Sequence, residues 1–224
     1  MPAPISVIIP TLNAAAHLPA CLAHLYEGVS EGLIREVILA DGGSTDDTQK
    51  IGREWGARII DCPKGRGNQL CHAIGQARGA WFFIVHADTR IVGDWPNVLR
   101  AHLNASKSAG FGTLRFDSAD LGATLTASWA NFRSRVFGLP YGDQTLLIER
   151  QLYKQIGGYA KIPLMEDVDI ARKLRGKKRM LNFTALTGSD KYQKAGWFRR
   201  GIKNLYILIL YKLGNDPKNL AARY

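Results

Sequence analysis

The chain has 224 residues, 46% of them apolar, enough for one α/β domain with its own hydrophobic core. No glycine- or serine-rich linker divides it, no internal repeat runs through it, and Met1-Pro2-Ala3-Pro4 lacks the basic stretch and apolar segment of a signal peptide. The net charge of +11 is unevenly placed: Arg172 to Tyr224 carry 14 Lys/Arg against two Asp/Glu, which leaves 16 against 17 in residues 1–171.

The three cysteines, Cys21, Cys62 and Cys71, are odd in number and lack metal-type spacing, which points to a reduced, cytoplasmic setting. No histidine lies after His102, so a two-histidine zinc site spanning both halves is excluded.

Ile5 to Pro10 is a short β-branched run that suits a strand buried on both faces. A helical stretch follows from about Ala14 to Tyr26, then a second strand from Glu36 to Ala40 that ends in Asp41-Gly42-Gly43-Ser44. Thr45 is placed as the N-cap of the next helix. Arg58 to Asp61 reads as a strand, Gln69 to Arg78 as a helix, and Trp81 to His86 as a fourth strand. This alternation implies an α/β fold, with a mainly parallel central sheet and helices on both faces. Farther on, the pattern suggests strands at Phe111–Phe116 and Thr145–Glu149, the latter before a helix. Further helices are expected at Leu121–Phe137, Glu166–Arg175 and about Trp197–Leu213.

In a parallel sheet, ligands bind beyond the carboxyl ends of the strands. Three strands end in polar clusters, Thr11-Asn13, Asp41 to Ser44 and His86-Ala87-Asp88, so all three should line one crevice. Asp88 closes an otherwise apolar strand. It reads either as a strand-end cap or as a ligand for a hard divalent ion whose shell is completed by phosphate oxygens. Asp41 reads as a turn residue or as an acceptor for a base or ribose. Lys64-Gly65-Arg66-Gly67-Asn68 is a basic, glycine-rich loop suited to phosphate, although it lacks the Gly-Lys-Ser/Thr of a P-loop. Glu166, Asp167 and Asp169 complement a helix dipole or supply a general base.

Together these clusters resemble the family 2 glycosyltransferases, which have the GT-A fold. The matching segments are Ser6 to Asn13, Asp41 to Thr48, Gly65 to Asn68, His86-Ala87-Asp88 and Glu166 to Asp169, in the family's order. The ending, Leu213-Gly214 to Pro217 with Leu220-Ala221 and Tyr224, resembles a compact bacterial subgroup. The resemblance implies a hexosyltransferase-like enzyme that moves a sugar from a nucleotide-diphosphate sugar to an acceptor hydroxyl with inversion. It implies that Thr11, Asn13, Asp41 and Arg66 hold the nucleoside, with His86 and Ala87 beside it. Asp88, the last acid of the family's D-x-D motif, would bind Mn²⁺ or Mg²⁺. Asp167 would be the base, with Glu166 as the fallback, and Asp143, within Gly142-Asp143-Gln144, would sit near the sugar or acceptor. The first acid of D-x-D is His86 here, and Gly188-Ser189-Asp190-Lys191-Tyr192 stands where the family has an arginine-rich donor motif. A UDP-sugar is favoured over a GDP-sugar, and no nucleic acid is expected. The competing readings are a nucleotidyltransferase and a non-catalytic protein that binds nucleotide sugars or nucleic acid.

Residues 1–190 are expected to form the catalytic domain, and 191–224 a basic, partly apolar extension. Leu205 to Tyr211 is apolar throughout, too short to span a bilayer, and flanked by Arg199, Arg200, Lys203, Lys212 and Lys218. One reading lays this helix in the inner membrane interface, near a lipid-linked acceptor. The other packs it within the protein or against a second subunit of a homodimer.

Overall fold

The computed structural model describes residues 3–190, 192 and 196–223. Met1, Pro2, Lys191 and Tyr224, cited above, lie outside them. Strand β1 (Ile5–Thr11) is followed by α1 (Leu18–Ser30), β2 (Ile34–Asp41), α2 (Thr48–Glu54), β3 (Arg58–Asp61), α3 (Arg66–Gln76), β4 (Trp81–Ile84) and β5 (Thr89–Val92). Then come α4 (Trp95–Ala105), β6 (Ala109–Phe116), α5 (Leu121–Phe137), a 3₁₀ turn (Gly142–Gln144), β7 (Leu146–Glu149) and α6 (Arg150–Gln155). The chain continues through α7 (Glu166–Lys173), β8 (Lys178–Thr187), α8 (Trp197–Lys212) and α9 (Pro217–Arg223).

The strands form one eight-stranded sheet in the order β3-β2-β1-β4-β7-β6-β8-β5. The first four run parallel, β7 is antiparallel to both β4 and β6, β6 and β8 are parallel, and β5 is antiparallel to β8. The expected mixed α/β architecture with a mostly parallel sheet is therefore the one observed. Alternation along the strands explains it. Ile5, Val7 and Ile9 of β1 enter one core layer with Trp81 and Phe83, while Ile8 enters the other with Phe82 and Ile84. Both faces are buried, so the strands read as continuous apolar runs.

Three helix starts differ from the sequence expectation. Thr45 is not the N-cap of α2, which begins at Thr48 with Asp47 at the cap position. The Thr45 N–H instead donates to Asn13 Oδ1 at 2.9 Å, and Asp46 Oδ1 accepts from the Thr48 N–H at 3.0 Å. The first residues assigned to α1 are held outside it: the Ala14 N–H donates to Thr48 Oγ1 and the Ala15 N–H to Asp46 Oδ2. Helix α3 starts earlier, at Arg66, because Gly65 takes a φ of 115° and turns the chain into it.

Helix α8 packs against α5 and against the start of α7, and leaves its other face exposed. Ile207 and Leu208 join Met165, Val168 and Leu220 in a small core against the start of α7, while Ile202, Leu205, Tyr206 and Ile209 are exposed. Among the described residues no helix is long and apolar enough to cross a membrane.

Candidate functional site

The carboxyl ends of β1 and β2 are tied into one platform. Asp41 is fully buried. Its Oδ1 accepts from Thr11 Oγ1 at 2.9 Å and Ser44 Oγ at 2.5 Å. Its Oδ2 accepts from the N–H groups of Gly43 and Ser44 at 3.2 and 2.8 Å and from Gln49 Nε2 at 3.0 Å. Burial alone would raise its pKa, but the hydrogen bonds from Ser44, Gln49 and Thr11 hold it below the usual carboxylate value. A carboxylate offers about four acceptor positions, so Asp41 is saturated by its own chain. A base or ribose that uses it must displace one of these donors.

Asn13 lies across the platform in the left-handed region, φ 50°. Its N–H donates to Ser44 Oγ at 2.9 Å, while its Oδ1 receives Thr45. Buried Gln69 completes the tie from α3, donating through Nε2 to the carbonyls of Thr11 and Ala40 at 2.8 and 2.7 Å. Gln69 belongs to no recognisable motif of the sequence. An amide among Leu70, Ala73 and Ile74 on the inner face of a helix was the available signal.

A second group gathers around the 3₁₀ turn. The Gly142 N–H donates to Asp167 Oδ2 at 2.9 Å. A Cβ on Gly142 would lie 2.5 Å from His86 Nε2, so the His86 ring packs directly on this glycine. Asp88 is fixed through its backbone, its carbonyl accepting from the Gly188 N–H at 2.9 Å. Burial pushes the Asp143 pKa up to about 6, Arg133 opposes the rise, and the charges of Asp167 and Asp88 add to it. The structure thus brings His86, Asp88, Asp143 and Asp167 together from the end of β4, the 3₁₀ turn and the start of α7.

Glu166 lies behind them and is only 1% exposed. Burial raises its pKa to about 7, the Arg66 guanidinium pulls it down, and Asp167 pushes it up. Arg66 Nη1 stands 3.3 Å from Glu166 Oε1. The basic loop therefore reaches the acidic helix directly, a link the sequence expectation of a nucleoside contact did not contain. Gly67 makes the approach possible, since a Cβ there would lie 2.4 Å from the Ala160 carbonyl.

Backbone strain marks the same places. The non-glycine residues with positive φ among those described are Asn13, Thr145 and Met165. Asn13 is itself a candidate site residue, Thr145 lies two residues after Asp143, and Met165 directly precedes Glu166-Asp167.

A hard divalent ion fits this group. Asp143 Oδ1 is buried with no hydrogen-bond partner, and the Asp88 and Asp167 charges face it. Among the described residues no three His, Cys, Asp or Glu side chains by themselves form an ion-holding cluster. An ion held by only one or two carboxylates completes its shell with phosphate oxygens.

Solved structures place this architecture in a known class. The chain is similar to glucosyl-3-phosphoglycerate synthase from Mycobacterium tuberculosis, solved with Mn²⁺, UDP and glucosyl-3-phosphoglycerate, at TM-score 0.59 and 19% identity over 91% of this chain and 78% of that one. It is also similar to S. aureus TarS 1-349 in complex with UDP-GlcNAc, at TM-score 0.62 and 17% identity over 82% of this chain and 58% of that one. The fold is that of the GT-A glycosyltransferases. The sequence profile of glycosyl transferase family 2 matches residues 6–156, and the chain belongs to that family. A curated relative is the PGL/p-HBAD biosynthesis glycosyltransferase of Mycobacterium tuberculosis (strain ATCC 25177 / H37Ra), 38% identical over 90 residues that cover 37% of this chain and 34% of the relative. The match spans about a third of that relative's length.

Proposed function

We propose that the protein transfers a sugar from a nucleotide-diphosphate sugar, with UDP the favoured nucleotide, to an acceptor hydroxyl, and that it inverts the anomeric configuration. The observation that carries this reading is the meeting of Asp88, Asp143 and Asp167 beyond β4, the strand paired with β1, at whose end stand Thr11, Asn13 and Asp41. The UDP in both neighbouring structures supports the choice of donor.

In this account residues 1–190 carry the chemistry. The platform and Arg66 hold the nucleoside, and Asp88 holds Mn²⁺ or Mg²⁺. When bound, the ion neutralises the departing diphosphate. Asp167, oriented by the Gly142 N–H, accepts the acceptor hydroxyl's proton on a carboxylate oxygen. The hydroxyl oxygen bonds to the anomeric carbon as the bond from that carbon to the diphosphate oxygen breaks on the opposite face. A single displacement inverts the centre. Asp143 lies beside Asp167, where an acceptor or sugar hydroxyl can donate to its unpartnered oxygen.

Incubation of the purified protein with a panel of UDP- and GDP-sugars, with and without Mn²⁺, tests the reading. Release of nucleoside diphosphate from one UDP-sugar, dependent on metal, is expected. No release from any donor under any condition would overturn it.

A further inference from the structure

Among the described residues sixteen large apolar side chains are exposed, and twelve of them lie on or at the ends of α5 and α8. They form stripes rather than a scatter. Leu121, Leu125, Trp129, Phe132 and Val136 recur at helical spacing along α5, whose opposite face buries Ala123, Ala127 and Ala130. Phe198, Ile202, Leu205, Ile209 and Leu213 repeat the pattern along α8. The two helices pack side by side, and Trp197 Nε1 at the start of α8 donates to Asp120 Oδ2 before α5 at 3.3 Å. Exposed apolar stripes on two neighbouring helices mark an interaction site.

Between the helices lies a cavity of about 220 Å³. Trp129 and Leu205, both half exposed, flank it, and Arg133 and Asp143 also line it. Arg133 Nη2 and Asp143 Oδ1 are both buried without a hydrogen-bond partner. A smaller cavity beside Asp167 shares Tyr141 and Asn204 with it, so the apolar opening leads toward the candidate base.

Charge selects the occupant. The sequences of α5 and α8 hold no Asp or Glu, and besides the buried Arg133 they carry five Arg or Lys that are not buried. A second copy laid on this face would bring the same cations against each other, whereas an anionic surface would neutralise them. Aromatic and aliphatic side chains bordered by cations suit helices that lie in a membrane interface.

We propose that α5 and α8 together dock on an anionic bilayer, and that the cavity between them opens there to take the apolar part of an amphiphilic hydroxyl acceptor. The acceptor half of this proposal rests on the transferase reading above; the docking half does not.

Flotation with vesicles of phosphatidylglycerol and phosphatidylcholine, against phosphatidylcholine alone, tests the docking. The full chain should float with the anionic vesicles at low salt and be released at high salt. Leu125→Glu/Phe132→Glu and Ile202→Glu/Ile209→Glu should each cut binding by about tenfold or more, while UDP binding and the far-ultraviolet spectrum stay unchanged. No flotation at low salt, or equal flotation of folded variants, overturns the docking. So does a dimer that these variants dissociate. Nucleoside diphosphate release, measured in the same preparations without vesicles, separates the two claims: intact release without flotation sinks only the docking, and flotation without release sinks only the transferase.

A dansyl-labelled long-chain alcohol probes the cavity. Gly201 lines the cavity, and a Cβ there meets open space, so Gly201→Phe should block the probe while vesicle binding persists. Failure of the unsubstituted protein to bind the probe overturns the acceptor half.

Discussion

The Gly142 N–H donates to Asp167 Oδ2 across 2.9 Å and so joins the 3₁₀ turn to the start of α7. The same glycine carries the His86 ring on its other side, leaving no room for a methyl group. Gly142→Ala should therefore move either His86 or the hydrogen bond that orients Asp167. Overpacking of this kind costs about 1–3 kcal/mol. Chemical denaturation should show that loss, and His86→Ala in the same chain should restore most of it. No loss of stability in the single variant would contradict the packing described.

Asp88 should govern the metal dependence of nucleotide binding. In calorimetry, Mn²⁺ should tighten UDP binding to the unsubstituted protein and have little effect on Asp88→Ala. Equal affinity with and without metal in the unsubstituted protein would show that its carboxylate holds no ion with the diphosphate.

Asp143 gives a pH signature. Burial lifts its folded pKa to about 6, against an unfolded value of about 3.9. Between these values the folded state binds more protons than the unfolded state, so stability falls as pH rises through this window and stays lowered above it. Asp143→Asn removes that dependence. Its stability relative to the unsubstituted protein should therefore rise from pH 4 to pH 8, by about 1–3 kcal/mol. Thermal denaturation across that range checks it, and a parallel pH dependence in both proteins would contradict the burial of an ionisable Asp143.

The first half of the fold was legible because its strands are apolar runs separated by amphipathic helices. Strand β3 and helix α5 have the boundaries expected from the sequence. Strand β8 was missed although Leu181, Phe183, Ala185 and Thr187 alternate with less buried residues, because Lys178, Arg179, Asn182 and Thr184 mask it as polar chain. Strand β5 is only four residues long, and α4 begins at Trp95-Pro96, where proline reads as a break even though the first helical turn tolerates it. At the site, the sequence marked Asp88, Asp143 and Asp167 as separate motifs. Their convergence depends on β7 returning antiparallel beside β4, a long-range pairing with no local signal. Arg133 was hidden for the same reason: only the packing of α5 against Tyr141 places its guanidinium 3.4 Å over that ring and beside Asp143.

The comparison of Asp167→Asn with the unsubstituted protein tests the account most directly. Turnover of the donor identified in the panel and the dissociation constant of UDP with metal are measured for both. General-base assistance is typically worth about 10²–10⁴-fold, so the variant should lose transfer by that factor while UDP affinity is unchanged. Near-normal turnover in Asp167→Asn, or a product that retains the donor's anomeric configuration, would contradict the assignment of Asp167 as the base of an inverting transfer.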